Sequence, residues 1–257
     1  DPRWGRVVES TGEDPFLGAA LASAKVKGFH GAGPHDSSFM LTTAKHFVTY
    51  GAAEGGRDYN VADVSERTLQ EVHLPPFRAA VAAGVDAIMP SFNEIAGTPL
   101  HSNTALLTGV LRNQWRFTGL IVSDFNAIWE LSQHGVADIP ADTARLALTA
   151  GVDVDMVRQM YRRYPQPLVR TGQIPMAAVD AAVRRVLQTK QRLGLFDDPY
   201  RYSNEARQRA NTLTPQHRAL AREAAQKSIV LLKNNDALLP LSKHLRNVLV
   251  VGSLATD

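Results

Sequence analysis

Gly119-Leu120-Ile121-Val122-Ser123-Asp124-Phe125 decides how this chain is read. A short apolar run stops abruptly at a carboxylate, and Asn126-Ala127-Ile128-Trp129-Glu130-Leu131 follows at helical spacing. A buried strand that ends in an acid and feeds a helix is how an α/β barrel presents a catalytic group, at the carboxyl end of a strand. The same local pattern suits a plain helix N-cap, whose Asp accepts hydrogen bonds from first-turn amides. Taken locally, both readings stand.

Outward from this run, the chain alternates short apolar strands with helical periodicities from Leu41 to about Phe196, which argues for a parallel sheet. The expected strands are Leu41–Phe47, Ala87–Ser91, Leu120–Ser123 and Gly151–Asp155. Helices are expected from Ser65, whose hydroxyl suits an N-cap, and over Ser102–Trp115, about Asp142–Thr149 and Met176–Leu193, the last closed by Gly194. Four strands are too few to close an eight-stranded barrel. The expected fold is therefore α/β: an incomplete (β/α)8 TIM-type barrel contributing its later strands over residues 1–200. Residues 201–245 read as a linker and connecting helix, Gln216–Lys233. Residues 246–257 then read as the first strand of a second α/β domain. With Asp1 in first place and an apolar run near the end, the chain reads as an internal fragment.

The composition is that of an ordinary soluble protein. Its 257 residues carry 28 Lys and Arg against 25 Asp and Glu, a formal net charge of +3. The charges are interspersed, and the dense points Arg162-Arg163 and Arg184-Arg185 lie outside any aromatic-studded tract, so no nucleic-acid partner is expected. No apolar run approaches the roughly 20 residues that span a bilayer, so no membrane partner is expected either. The absence of cysteine excludes disulfides, thiolate catalysis and Cys-ligated metals. Gly31-Ala32-Gly33-Pro34-His35 lacks the lysine and following helix of a phosphate loop. No metal or cofactor is called for.

Four features line up in order: Asp1-Pro2-Arg3-Trp4-Gly5-Arg6 with Gly12-Glu13-Asp14-Pro15, then Ala44-Lys45-His46-Phe47, Gly56-Arg57-Asp58-Tyr59, and Ser123-Asp124-Phe125. This series closely resembles glycoside hydrolase family 3, particularly its bacterial periplasmic β-glucosidases. Met89-Pro90-Ser91-Phe92-Asn93, Leu106 to Arg112 and Glu223 to Pro240 extend the likeness along the whole chain. The resemblance implies that the second domain is an α/β sandwich. It also implies that Asp124 is a catalytic nucleophile, an anion that stabilises an oxocarbenium-like centre and then captures it. Such a residue must be ionised, so surroundings that lower its pKa are expected.

By the same resemblance Lys45 and His46 are a sugar-binding pair, and Arg6 and Arg57 contact substrate. Neighbours on a strand point to opposite faces, so the backbone must bend for Lys45 and His46 to reach one sugar. For Arg6, a structural salt bridge to Glu13 or Asp14 is the alternative. Gly55 and Gly56 would let the Arg57 loop approach the sugar closely. Phe92 stands where many relatives have Tyr, keeping an apolar wall without a hydroxyl. Phe125 stands where many have Trp, and a phenyl ring can still stack on a pyranose. His134 is assigned to a loop with a possible place at the rim, and Asp153 and Asp155 receive no catalytic role.

A retaining glycosidase needs two carboxyl groups roughly 5–5.5 Å apart. In multidomain relatives the acid/base is a Glu of the sandwich domain, so it is expected outside this chain. Single-barrel N-acetylglucosaminidases of the family carry Lys-His-Phe-Pro-Gly-His, whereas this chain reads Lys45-His46-Phe47-Val48-Thr49-Tyr50. The implied function is an exo-acting, retaining β-glucosidase on oligosaccharide or aryl β-glycoside substrates, periplasmic like its bacterial relatives. The alternatives are a β-xylosidase or other β-glycosidase of the family, and a non-catalytic carbohydrate-binding relic.

Overall fold

Three of the four apolar runs pair as a parallel sheet in the computed structural model, which describes residues 1–255. Among the described residues the strands are β1 (Thr43–Phe47), β2 (Val61–Ala62), β3 (Ala87–Pro90), β4 (Glu94–Ile95), β5 (Thr98–Pro99) and β6 (Leu120–Ile121). The main sheet runs β1-β3-β6, with Thr43 beside Ala87 and Ile88 beside Ile121. Phe47, Ile88 and Ile121 are fully buried within it, and so is Val48 just beyond β1. The fourth expected strand, Gly151–Asp155, shrinks to a single parallel bridge between Val122 and Val154. The smaller sheet joins β2, β4 and β5. Its hairpin turns at Ala96-Gly97, both at positive φ, as a two-residue hairpin turn requires.

The helices of the first compact unit, Asp1–Tyr202, pack around this sheet. Helix α1 (Pro15–His30) starts at Asp14, whose carboxylate accepts the Phe16 amide at 2.8 Å, with Pro15 in the first turn. Ser65 caps α2 (Glu66–Thr68), accepting the Thr68 amide at 3.1 Å, and the chain continues through a wide turn into α3 (Leu74–Ala82). Residues Ala105–Gln114, expected as an α-helix, wind as a π-helix that buries Leu106, Leu107, Val110 and Leu111. Four helices follow: α4 (Ala127–Glu130), α5 (Pro140–Ala150), α6 (Met160–Arg163) and α7 (Pro165–Arg170). Then α8 (Met176–Arg192) ends just before Gly194, which takes the left-handed conformation.

Two buried carboxylates tie these helices to the amino-terminal side of the sheet. Asp86, immediately before β3, accepts the Thr42 amide at 2.7 Å and pairs with His30 of α1 and Arg192 of α8. Asp153 accepts the Ile121 amide at 2.8 Å and pairs with Arg112 and with Arg185 of α8, each at 2.8 Å.

The second unit, Ser203–Asp257, contains α9 (Glu205–Asn211) and α10 (Pro215–Ser228). Helix α10 ends at Ser228, so Ile229–Lys233 does not extend it as expected. The apolar run at 247–251 pairs with no strand among the described residues, because an isolated strand has nothing to satisfy its backbone. Of residues 246–257, expected to open a second α/β domain, 256 and 257 lie outside the described residues.

Truncating Asp153 would leave two guanidinium groups without their counter-charge in a dry environment. Asp153→Ala is predicted to cost about 3–5 kcal/mol of unfolding free energy, the range for removing one partner of a buried pair. Urea unfolding of the purified variant against the parent protein measures it.

Candidate active site

Asp124 lies past β6, at the carboxyl end of the main sheet. The cap of α4 is Asn126, held at a φ of 60°, so Asp124 is not that helix's N-cap. Its Oδ1 accepts the Phe125 amide at 2.7 Å. Its Oδ2 is buried without a hydrogen-bond partner, and the nearest cation-capable group is His46 Nε2 at 3.3 Å. The side chain is only 13% exposed. Burial pushes its pKa up, while the Phe125 amide, Lys45 and Arg6 pull the other way. The expected depression is therefore overturned: loss of water around the carboxylate outweighs both cations.

Lys45 and His46 come from the carboxyl end of β1, where the pairing with β3 slips between Lys45 and Phe47. The Lys45–His46 and Phe47–Val48 peptides are cis, and Thr49 takes a φ of 66°. The slip in register brings both residues to bear on one carboxylate. Both now act on Asp124, His46 by contact and Lys45 through its charge. Burial, Lys45 and Arg6 hold the His46 pKa down at about 4, so its ring is neutral at pH 7. Its contact with Asp124 is then dipolar rather than ionic.

Arg6 forms a two-pronged salt bridge to Glu9, at 2.6 and 2.8 Å, rather than to Glu13 or Asp14. Its remaining donors reach the Tyr50 hydroxyl at 3.1 Å and His46 Nε2 at 3.4 Å, and its guanidinium lies over the Tyr50 ring. Glu9 and Tyr50 thus orient Arg6 toward the His46 side of the site. Asp58 supports the same wall, accepting the Trp4 indole N–H at 3.0 Å and bonding to Tyr50.

Arg57 stands apart from these residues. It is exposed, and its Nε reaches the Glu54 carbonyl at 3.4 Å. The glycine beside it serves a different approach from the one expected. At Gly56, with φ of 68°, a Cβ would fall 2.7 Å from the Trp4 backbone nitrogen, so this glycine lets the loop pack on residues 3 and 4. Phe92 is buried between Tyr50 and Tyr59, with its ring 4.2 Å from that of Tyr59. Phe125 is 55% exposed beside Asp124.

Several groups escaped the sequence reading. Glu9 follows Arg6 by three residues, a spacing that signals a pair. Asp58 and Tyr59 sat within the quoted Gly56–Tyr59 run. Glu130, on α4, leaves Oε2 buried and unpaired, and burial and the Asp124 charge raise its pKa. His134 meets Glu94 at 3.4 Å, a partner that spacing along the chain could not reveal. His101 accepts the Asp124 amide at 3.1 Å, and nothing in Leu100-His101-Ser102 announced it. Among the described residues no three His, Asp or Glu side chains gather as metal ligands. No helix there is long and apolar enough to cross a membrane.

A parallel α/β sheet thus presents a mostly buried carboxylate at its carboxyl edge, with His46 in contact and Lys45 and Arg6 acting through their charge. The glycosyl hydrolase family 3 N terminal domain matches residues 1–189, and the chain belongs to that family. It is 43% identical over 258 residues to the periplasmic β-glucosidase of Salmonella typhimurium, covering 99% of this chain and 34% of that protein. It is 39% identical to a β-xylosidase of Formosa agariphila, covering 100% of this chain and 37% of the relative. Among solved structures, a mutant β-glucosidase from Listeria innocua in complex with laminaribiose superposes with a TM-score of 0.91 at 41% identity. That match covers 95% of this chain and 34% of the other. A β-glucosidase from Erythrobacter marinus superposes at 0.88 and 41%, covering 94% and 32%. The chain thus spans about a third of the length of these relatives.

The raised Asp124 pKa carries a stability consequence. A carboxylate harder to ionise when folded costs stability above its folded pKa, and that cost is absent below the unfolded value. Asp124→Asn keeps the Oδ1 acceptor and removes the charge. It is predicted to melt higher than the parent at pH 7, with the difference shrinking as pH falls through the carboxylate range. Thermal scans across pH read this directly.

Proposed function

We propose that this chain supplies the nucleophile and much of the glycone pocket of a retaining, exo-acting β-glucosidase. The observation that carries the reading is the Asp124 carboxylate, with one buried oxygen free of hydrogen bonds, facing His46 and within the field of Lys45 and Arg6. The free Oδ2 attacks the anomeric carbon as the glycosidic bond breaks, giving a glycosyl-Asp ester. A separate acid protonates the departing oxygen, and water, deprotonated by the same group, then attacks the anomeric carbon and releases the Asp124 carboxylate. The second attack restores the original configuration.

Lys45 and Arg6 donate to sugar hydroxyls, and neutral His46 donates through whichever ring nitrogen holds its proton. Phe92 forms the apolar wall, and exposed Phe125 can stack on a sugar face. Arg57 reaches the substrate only by leaving the Glu54 carbonyl. We assign the acid/base to a segment outside residues 1–257, and regard residues 1–200 as the later part of a family 3 (β/α)8 barrel. In this reading residues 201–245 connect it to an α/β sandwich domain that opens at residues 246–257. The likeness to the periplasmic β-glucosidase of Salmonella typhimurium supports a periplasmic location.

Labelling the full-length polypeptide that carries this chain with an activated 2-deoxy-2-fluoro-β-glucoside, followed by peptide mapping, tests the assignment. The covalent label is expected on the peptide containing Asp124, and a label elsewhere would sink the assignment. Asp124→Ala should lower kcat by about four orders of magnitude, the scale on which a covalent nucleophile contributes. Lys45→Met should lower kcat/KM about 10- to 100-fold, as expected for losing a charge-assisted hydrogen bond. The 257-residue chain alone should hydrolyse aryl glucosides negligibly, for want of the acid.

A β-xylosidase is the second reading, favoured by the 39% identity to the Formosa protein. The ratio of kcat/KM for aryl glucoside and aryl xyloside decides between them.

A further inference from the structure

His101 is 2% exposed, on the turn that follows the β4–β5 hairpin. Its Nε2 accepts the Asp124 amide at 3.1 Å. Its other polar contact is with the Ser91 backbone. The Ser91 amide is already committed to the Phe47 carbonyl at 2.7 Å, so the carbonyl of Ser91 accepts the imidazole N–H. Ser91 Oγ donates in turn to the Val48 carbonyl at 2.9 Å. One ring therefore joins the ends of three neighbouring strands: β6 through Asp124, β3 through Ser91, and, by way of Ser91, the end of β1 that carries His46.

The two bonds dictate the tautomer, with Nδ1 protonated and Nε2 bare. Burial, aided by the charges that His134 and His46 could carry, drives the ring's pKa down to about 3. A proton on Nε2 would confront the Asp124 amide hydrogen, so the contact exists only for the neutral ring.

Resting on the reading of Asp124 as nucleophile, we propose that His101 is a positioning residue for that nucleophile. By pinning the Asp124 amide to Ser91, it fixes the main chain from which the carboxylate projects. Oδ1 then stays on the Phe125 amide and Oδ2 stays free toward the sugar. A carboxylate misplaced by an ångström costs about 100-fold in rate even when binding survives.

The test separates the two bonds in the full-length polypeptide. His101→Gln places a carbonyl oxygen where Nε2 was and can still accept the Asp124 amide. His101→Asn can still donate to Ser91 but cannot accept that amide, and His101→Leu can do neither. With the fluoro-glucoside reagent, the rate of glycosyl-enzyme formation is expected to fall about 100-fold in the Asn and Leu variants. KM for an aryl glucoside should stay within about threefold, and Gln should recover most of the rate. Asn and Leu variants that label as fast as wild type, or a Gln variant as slow as Leu, would overturn the proposal. So would an imidazole 15N spectrum of the wild-type protein showing His101 protonated at Nε2 near neutral pH, a measurement that does not require the variants to fold. Wild-type protein that labels away from Asp124 would overturn the nucleophile reading itself, and this proposal with it. Wild-type label on Asp124 with indifferent variants would overturn this proposal alone.

Discussion

The site depends on keeping one carboxylate charged where there is little water to solvate it. Asp124 sits at a strand end with one oxygen satisfied by the next amide and the other by nothing but proximity to His46. Water would satisfy that second oxygen and stabilise the anion, but it would also dull the anion's attraction for a developing positive centre. The fold resolves the conflict with distributed charge. Lys45 and Arg6 lower the cost of ionisation without forming a close salt bridge that would tie up Oδ2.

Rigidity for this arrangement comes from the opposite end of the sheet. Asp86 and Asp153 are also buried carboxylates, yet each is saturated by backbone amides and by cationic partners from the surrounding helices. The three acids differ in the number of fixed partners rather than in burial alone. Where the partners are complete, the carboxylate becomes a tie between elements. Where they are deliberately incomplete, as at Asp124, it remains available for chemistry.

The sequence was most informative where chemistry and secondary structure coincide. The runs at Thr43–Phe47, Ala87–Pro90 and Leu120–Ile121 were legible because each carries a fully buried apolar residue, Phe47, Ile88 or Ile121, and Asp124, Lys45 and His46 were legible because they stand within or at the end of those runs. Helix α1 escaped because its apolar residues are not gathered on one face; Phe16 and Phe29 are exposed. The extension of α10 past Ser228 was over-read, since apolar pattern alone does not supply the partners that a helix face requires. Asp58 and His101 were hidden for a different reason. Each acts through a contact made across the fold or through a turn, and no local spacing records which amide or ring it meets.

The direction of the Asp124 shift shows where reasoning from function alone misleads. A nucleophile must be ionised at working pH, from which a depressed pKa seems to follow. That inference confuses the required state with the energetic means. A carboxylate starts several pH units below neutrality, so a raised pKa and a charged group at pH 7 are compatible. In the proposed reading the push is itself useful, because an anion poorly solvated in the resting site gains more from the cationic centre that would form during glycosyl transfer. His46 completes the logic from the other side. Two neighbouring cations and burial hold it neutral, so it cannot close the ion pair with Asp124 that would relieve the anion before a substrate arrives.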